Sequence, residues 1–422
     1  MKENEFAKTI SSNDGKLYVV GGWVRDTLMN KVPKDKDYCV TGFNKDKFLR
    51  LFPHAKQVIG EKGKQTVDVF LLDIDGTVQE ISLARKEMKT GKGYHGFRFH
   101  SDELVTIEED LKRRDITINS IAYDIVGDEY IDPYNGIADI KNGLIRATSE
   151  AFYEDPLRVY RIAVRAAITG FKVVDTTKKM MIKAGQELHL IHKERVVKEL
   201  EKALTAEYPD KFFRLLQELG ILHIQFKQVS DLFGVTQPEK YHPEGDVFEH
   251  TMQVLVAMSK LTNRVELLYS ALVHDLGKAV TPKELLPNHH GHEDEGVPLV
   301  NALSEALGVP NKWKDTALFA TEYHGKFHRI GEIRDIKVSD LLMKAHKNPI
   351  GINGFAAIGL ADTRGKGDMT KEHPYYEFAL KVGEEIIKVK GNKEFEGIRA
   401  RDDKRRRQAA IVKQLKKEYL GG

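Results

Sequence analysis

The chain has one cysteine, Cys39, in 422 residues. A single thiol excludes an internal disulfide framework and any cysteine-built zinc cluster. No apolar run comes near the roughly 18 residues of a membrane span. The opening residues, MKENEFAKTI, are mixed and polar, unlike a secretory leader. A cytoplasmic protein without a membrane partner is therefore expected. Charge of one sign is also scarce: the net charge is only +3, although 31% of the residues are charged. Basicity is local, in Lys112 to Asp115, in Arg158 to Arg165 and in the tail DDKRRRQAAIVKQLKK. That distribution fits a polyanion met along one face. Each stripe taken alone reads equally as a solvated helix face. Internal repeats and low-complexity tracts are missing too.

What is present is a chain of two to four domains, 41% hydrophobic and able to bury a sizeable core. Residues 15–148 alternate short β-branched runs with turns, among them LYVV (Leu17 to Val20), DYCVT (Asp37 to Thr41), VDVFLLD (Val67 to Asp73) and VQEISLA (Val78 to Ala84). They predict a small mixed sheet with helices. Residues 149–236 read as helices throughout, with apolar positions at i, i+3, i+4 and i+7. A turn-rich stretch, Thr236 to Asp246, opens a second helical zone over 237–400 that carries most of the histidines, and 401–422 reads as a basic helical tail. The fold class expected is α+β, a mixed-sheet head followed by a helical neck and a helical C-terminal domain.

The first chemical site begins where LYVV runs into Gly21-Gly22 and a short helix, Trp23 to Met29. Glycines at a strand–helix junction let backbone N–H groups approach a ligand, and the helix N-terminus favours a phosphate. Arg25 sits on the first turn to clamp it. Then comes Lys34-Asp35-Lys36-Asp37 before the strand YCVT. Side chains at i and i+2 of a strand share a face, so Asp35 and Asp37 can hold Mg²⁺ in one cleft. Mg²⁺ bound by a few carboxylates plus substrate phosphates suits in-line displacement at phosphorus. Glu80, on the strand VQEISLA, is the candidate third carboxylate. Gly91 to Gly96 matches G-x-G-x-x-G by letter. It lies in a basic stretch with no helix opening after it, so a glycine-rich loop fits better than a dinucleotide site. In Arg113-Arg114-Asp115, Arg114 could reach a triphosphate, while Asp115 could orient it or cap the next turn.

Glu154-Asp155-Pro156-Leu157-Arg158 opens a helix. Asp before Pro is a good helix cap. Asp155 and Arg158, three apart, also face the same way. Cytosine and adenine both offer an exocyclic amine beside an unprotonated ring nitrogen, which suits a carboxylate and a guanidinium. Uracil and guanine would leave buried groups unpaired, and that rejects them. Arg161 and Arg165 continue the face toward phosphates or RNA. The second site is a set of histidines and acids: His250, the pair His274-Asp275, and Asp362. Four N and O ligands of this kind suit a divalent transition metal, nickel among the candidates, which acidifies a water for attack on a phosphoester. His292 and His324 are candidates for phosphate contact or a second metal, and Lys278 could shield phosphate charge.

As a set, GGWVRD, KDKDYCV, RRDITIN and EDPLR resemble the bacterial-type (class II) CCA-adding enzymes of the polymerase-beta-like nucleotidyltransferase superfamily. YHPEGDVFEHT, HDLGK, HHGH and ADTRGKGD resemble the HD-domain variety found in enterobacteria. The resemblance runs from about Lys16 to about Arg405. It implies that Gly22 and Arg25 bind the incoming nucleotide, that Asp35 and Asp37 hold Mg²⁺, and that Arg114 and Arg161 contact triphosphate. Asp155 and Arg158 would select CTP and then ATP without a nucleic-acid template, the tRNA 3′-hydroxyl displacing pyrophosphate. It also implies a metal-dependent HD phosphohydrolase with phosphatase and 2′,3′-cyclic phosphodiesterase activity. The family carries an arginine where this chain has Val164, with Arg165 following, and lacks about 14 of the N-terminal residues found here. Two other readings stay open: a poly(A) polymerase, and an HD phosphohydrolase whose head has become a non-catalytic RNA-binding module.

Overall fold

The computed structural model describes residues 1–421 except 34, 59–67, 90–96, 101 and 393–395, with the backbone alone at 87–89 and 97–100. Val67 and the Gly91–Gly96 loop of the sequence reading lie outside the described residues. Two compact units are present, Met1–Ile191 and His192–Gly422.

The first unit starts with helix α1 (Glu3–Ser11), strand β1 (Lys16–Val20), α2 (Gly22–Leu28), β2 (Asp37–Thr41), α3 (Lys45–Leu51) and β3 (Lys56–Gln57). Then come the hairpins β4 (Val69–Ile74) with β5 (Thr77–Leu83) and β6 (Lys86–Lys89) with β7 (Phe97–His100). It continues through α4 (Ile107–Lys112), β8 (Ala122–Asp124), β9 (Glu129–Ile131), α5 (Gly136–Asn142), β10 (Leu144–Ile145), α6 (Leu157–Thr169), β11 (Lys172–Val173) and α7 (Asp175–Gly185).

Seven strands form one mixed sheet in the order β3-β4-β5-β2-β1-β8-β9. Strands β2 and β5 run parallel, and the other pairings are antiparallel. The sheet is covered on both faces, so its strands alternate between two cores. Leu17, Val19, Val40, Phe48, Phe70 and Ile81 pack on one side with Phe6 and Ile10 of α1. Tyr18, Val20, Cys39 and Ala84 pack on the other with Ile107 and Leu111 of α4. This period of two fixes which way the polar residues at the strand starts point. The stretch read as helical from 149 has one departure: Lys172–Val173 is a strand that pairs in parallel with Leu144–Ile145. After the helix-ending Gly170, Val173 buries its side chain there while Lys172 stays exposed.

The second unit is helical, with no strand among its described residues. It comprises α8 (Lys193–Leu204), α9 (Asp210–Glu218), α10 (His223–Ser230), α11 (Val247–Leu261), α12 (Val265–Val273), α13 (His292–Leu307), α14 (Asn311–Phe327), α15 (Asp335–Lys347), α16 (Gly351–Arg364), α17 (Tyr376–Lys388) and α18 (Gly397–Leu420). The central helix α12 is buried from Glu266 through Val273 and packs on α11, α14 and α16. A helix apolar on all sides has to sit in the middle of a bundle, and it delivers His274 and Asp275 to the interior. No helix among the described residues is long and apolar enough to cross a membrane.

Candidate active sites

In the head, Gly21 adopts φ 73°, which a glycine takes without steric cost. A Cβ there would lie 3.4 Å from Arg114 Nη1 and 3.5 Å from Asp37 Oδ2. The glycine turn, Asp37 and Arg114 therefore meet at one point. Asp37 stands in register with Glu80 on the parallel neighbour strand, so the third carboxylate lies beside the second. Desolvation raises the pKa of Asp37. The negative charges of Glu80 and Asp35 add to the rise, and Arg114 opposes it. Like charges gathered this closely call for a cation.

Arg114 owes its place to Asp110, four residues earlier at the end of α4, through Nη2 to Oδ2 at 3.0 Å. Arg113 binds the same fully buried carboxylate at 2.6 Å. Asp115 does other work: it caps Ile116 N, accepts from Asn119 Nδ2 and pairs with Arg161 at 3.0 Å. Asn119 Oδ1 in turn accepts from Arg25 Nη1 at 2.6 Å, and Arg25 also binds Asp26. Burial pushes Arg165 down to about 10, with the positive charge of Arg25 contributing. Arg25, Arg161 and Arg165 thus form a cationic cluster braced by Asp115 and Asp26. Val164 is buried at 3% exposure, and Arg165, one position on, lies close enough to Arg25, Asp115 and Arg161 to share their field.

Burial alone would raise the pKa of Asp110, but Arg113 and Arg114 outweigh it and hold it at about 2. Its contribution to stability is present above the ordinary carboxylate range and is lost as pH falls through about 2. Asp110→Asn leaves two guanidinium groups without their buried partner. We expect a loss of about 3–5 kcal/mol in head stability at neutral pH, read as a lowered melting temperature. The same melting point in both proteins between pH 5 and 8 would contradict this.

At the start of α6, Asp155 Oδ1 accepts from Leu157 N at 3.0 Å and so caps the helix, as its place before Pro156 predicts. Arg158 donates to Ala151 O at 2.7 Å and lies 3.7 Å from Glu154. Glu154, one turn back, is an ion-pair partner of Arg158 that the sequence reading did not name.

In the second unit the imidazoles are oriented by their own backbone. Nδ1 of His274 lies 2.9 Å from Ala271 O, that of His292 lies 2.8 Å from His289 O, and that of His324 lies 3.1 Å from Thr321 O. Carbonyls only accept, so each Nδ1 carries the proton and each Nε2 presents a lone pair. All three Nε2 atoms turn to Asp275, at 3.2, 3.2 and 3.4 Å. Lys278 Nζ is 2.7 Å from Asp275 Oδ2. His250 Nε2 lies 2.9 Å from Asp362 and 3.6 Å from Asp275. Burial would raise the Asp275 pKa, but His274 and Lys278 hold it well below the carboxylate range.

His274 Nε2 and Asp275 Oδ1 are buried without an aligned hydrogen bond among the described residues. Orphaned donor atoms converging on one point fit a mixed N/O metal sphere. The groups His250–His274–Asp362 and His274–Asp275–His324 each bring their ligand atoms within 4.8 Å of one another. Gly277 lets this assemble, because a Cβ there would meet His292 O at 1.9 Å.

Four further residues surround this centre. Glu244 Oε1 lies 2.8 Å from Nδ1 of both His250 and His242. His328 bonds Asp362 Oδ2, and His373 Nε2 reaches His328 Nδ1 at 3.0 Å. His242 and Glu244 fall within the YHPEGDVFEHT segment, while the sequence signal for His328 and His373 is the histidine content of the zone.

Comparison with known proteins agrees with this layout. Residues 17–146 match the family model of the poly A polymerase head domain, 170–233 that of a probable RNA- and SrmB-binding site of polymerase A, and 247–347 that of the HD domain. Among solved structures, the CCA-adding enzyme of Bacillus stearothermophilus in complex with CTP is 20% identical, with a TM-score of 0.65, covering 97% of this chain and 92% of that one. A CCA-adding enzyme in complex with ATP is 18% identical at TM-score 0.64, covering 98% and 90%. A tRNA-processing enzyme is 19% identical at 0.63, covering 98% of both chains. The chain has the fold of these enzymes.

Proposed function

The chain combines a poly A polymerase head and RNA-binding region with an HD domain, in the fold of CCA-adding enzymes, and from this we propose that it adds CCA to tRNA 3′ ends from CTP and ATP. One observation carries the reading: Asp37 and Glu80 stand side by side in register, with Arg114 and the Gly21 turn against them. Mg²⁺ held by Asp35 and Asp37 supplies charge neutralisation at the phosphates and activation of the attacking hydroxyl. The chain's own residues do the rest. Gly22 and Arg25 take the phosphates at the start of α2, while Arg114, Arg161 and Arg165 carry triphosphate charge. Asp155 and Arg158 read the base edge, with Glu154 holding Arg158 until a base replaces it. The tRNA 3′-oxygen bonds to the α-phosphorus, the bond to the β-phosphate oxygen breaks, and pyrophosphate leaves.

The test is a tRNA ending at its discriminator base, supplied with one nucleotide at a time. CTP is incorporated, while UTP and GTP are not. A poly(A) polymerase would ignore CTP and extend with ATP.

The HD centre supports a second activity, phosphohydrolysis of phosphomonoesters and 2′,3′-cyclic phosphates at damaged tRNA ends. His250, His274, Asp275 and Asp362 fit a divalent transition metal, whose chemistry is to acidify a water for attack at phosphorus. Lys278 offsets phosphate charge, and His292 and His324, which face the same point, would ligate a second metal or, when protonated, contact phosphate. Both activities place the protein in tRNA maturation and repair in the cytoplasm.

A further inference from the structure

The N-terminal residues outside the family resemblance are built into the head. Phe6, Ala7 and Ile10 of α1 are buried, and the Phe6 ring packs edge-on to Tyr38 at 6.1 Å and to Phe52 at 5.1 Å. The start of this helix touches both segments that carry the carboxylates. Glu3 Oε1 accepts from Lys36 Nζ at 2.7 Å and from the Tyr38 hydroxyl. Glu3 N donates to Asp75 Oδ2 at 3.3 Å, and Asp75 N donates to Met1 O at 3.0 Å. Lys36 lies between Asp35 and Asp37, and Asp75 forms the β4–β5 turn that leads to Glu80.

Alternation along the chain gives these contacts a consequence. Tyr38 packs on the α1 side of the sheet, whereas Cys39, which shares a face with Asp37, packs on the α4 side. Holding Lys36 toward α1, where its Nζ also sits 5.0 Å from the Trp23 ring centre, keeps its ammonium away from the metal-binding face. A lysine free to fold back would neutralise the carboxylates that should take the cation. We propose that Glu3 is a positioning residue for the nucleotidyl-transfer centre: through its carboxylate it withdraws Lys36, a competing cation, from Asp35 and Asp37, while its backbone N–H, which every substitution keeps, ties the start of α1 to the Asp75 turn. This rests on the reading of those carboxylates as the Mg²⁺ site.

The test compares Glu3→Ala and Glu3→Gln in the full chain. Glutamine keeps an oxygen acceptor for Lys36 and Tyr38. Two quantities are read: the Mg²⁺ concentration giving half-maximal CTP incorporation, and Mn²⁺ affinity by electron paramagnetic resonance in the presence of CTP. The Mn²⁺ measurement uses an Asp275→Asn background that removes the other centre. Glu3→Ala raises both constants about tenfold, the scale of outer-shell partners of a metal, while Glu3→Gln changes them less than about twofold. Lys36→Met, which deletes the competing cation, restores the wild-type constants in the Glu3→Ala chain. Wild-type constants in Glu3→Ala, with only a lowered melting temperature, would leave α1 a packing element and overturn the inference alone. A wild-type chain with no Mg²⁺-dependent CTP incorporation would overturn the underlying reading as well.

Discussion

Replacing Asp37 with alanine abolishes CTP incorporation into tRNA, by about 10³-fold or more, and leaves phosphohydrolase activity unchanged. The expected size follows from the several kcal/mol that metal-borne charge stabilisation supplies to phosphoryl chemistry, each 1.4 kcal/mol being about tenfold in rate. Asp37 has no substitute: Glu80 is on the neighbouring strand and Asp35 precedes the strand. The fold is expected to survive, because the carboxylate is part of an accumulation of like charge whose pKa is already raised. Losing it relieves repulsion. Radiolabelled CTP incorporation and hydrolysis of a chromogenic phosphomonoester, measured on the same preparation, check both halves. Loss of both activities would contradict independent centres.

The mirror experiment has a comparable effect. In His274→Ala, hydrolysis falls about 10³-fold and bound transition metal, assayed by elemental analysis, is lost, while CTP incorporation with Mg²⁺ is unchanged. The alanine removes one of four Nε2 atoms that face Asp275 and leaves that acid buried with fewer partners. Stripping the metal with a chelator and restoring Mg²⁺ alone reproduces the mutant phenotype in the wild-type chain. Hydrolysis that persists after chelation would show that these histidines hold no catalytic metal.

The local frame of the head site was legible in the sequence because local rules produce it. The Gly21-Gly22 turn, the start of β2 at Asp37 and the cap at Asp155 follow from glycine, strand alternation and Asp-Pro chemistry, each acting over a few residues. What the sequence concealed is mostly long-range. Asn119 braces Arg25 from 94 residues away, and His373 reaches His328 from 45 away. Neither pair shares a motif. Asp110 was readable in principle, being an acid four residues before Arg114 near a helix end, but Asp115 next door offered a more obvious partner. Glu154 was hidden by the same competition: with Asp155 and Arg158 matching a base edge, the i, i+4 pair drew less notice. The N-terminal stretch is mixed and polar in sequence, and nothing local shows that Phe6 and Ile10 fill the head core.

The central claim is that carboxylates on the adjacent interior strands β2 and β5 and an acid–arginine couple at the start of α6 build a defined trinucleotide without a template. Sequencing the 3′ ends of products from a tRNA that stops at the discriminator base, with CTP and ATP both present, tests it most directly. The proposed function predicts two cytidines and one adenosine, then arrest. A tail of adenosines of variable length, or no extension with hydrolysis intact, would contradict it.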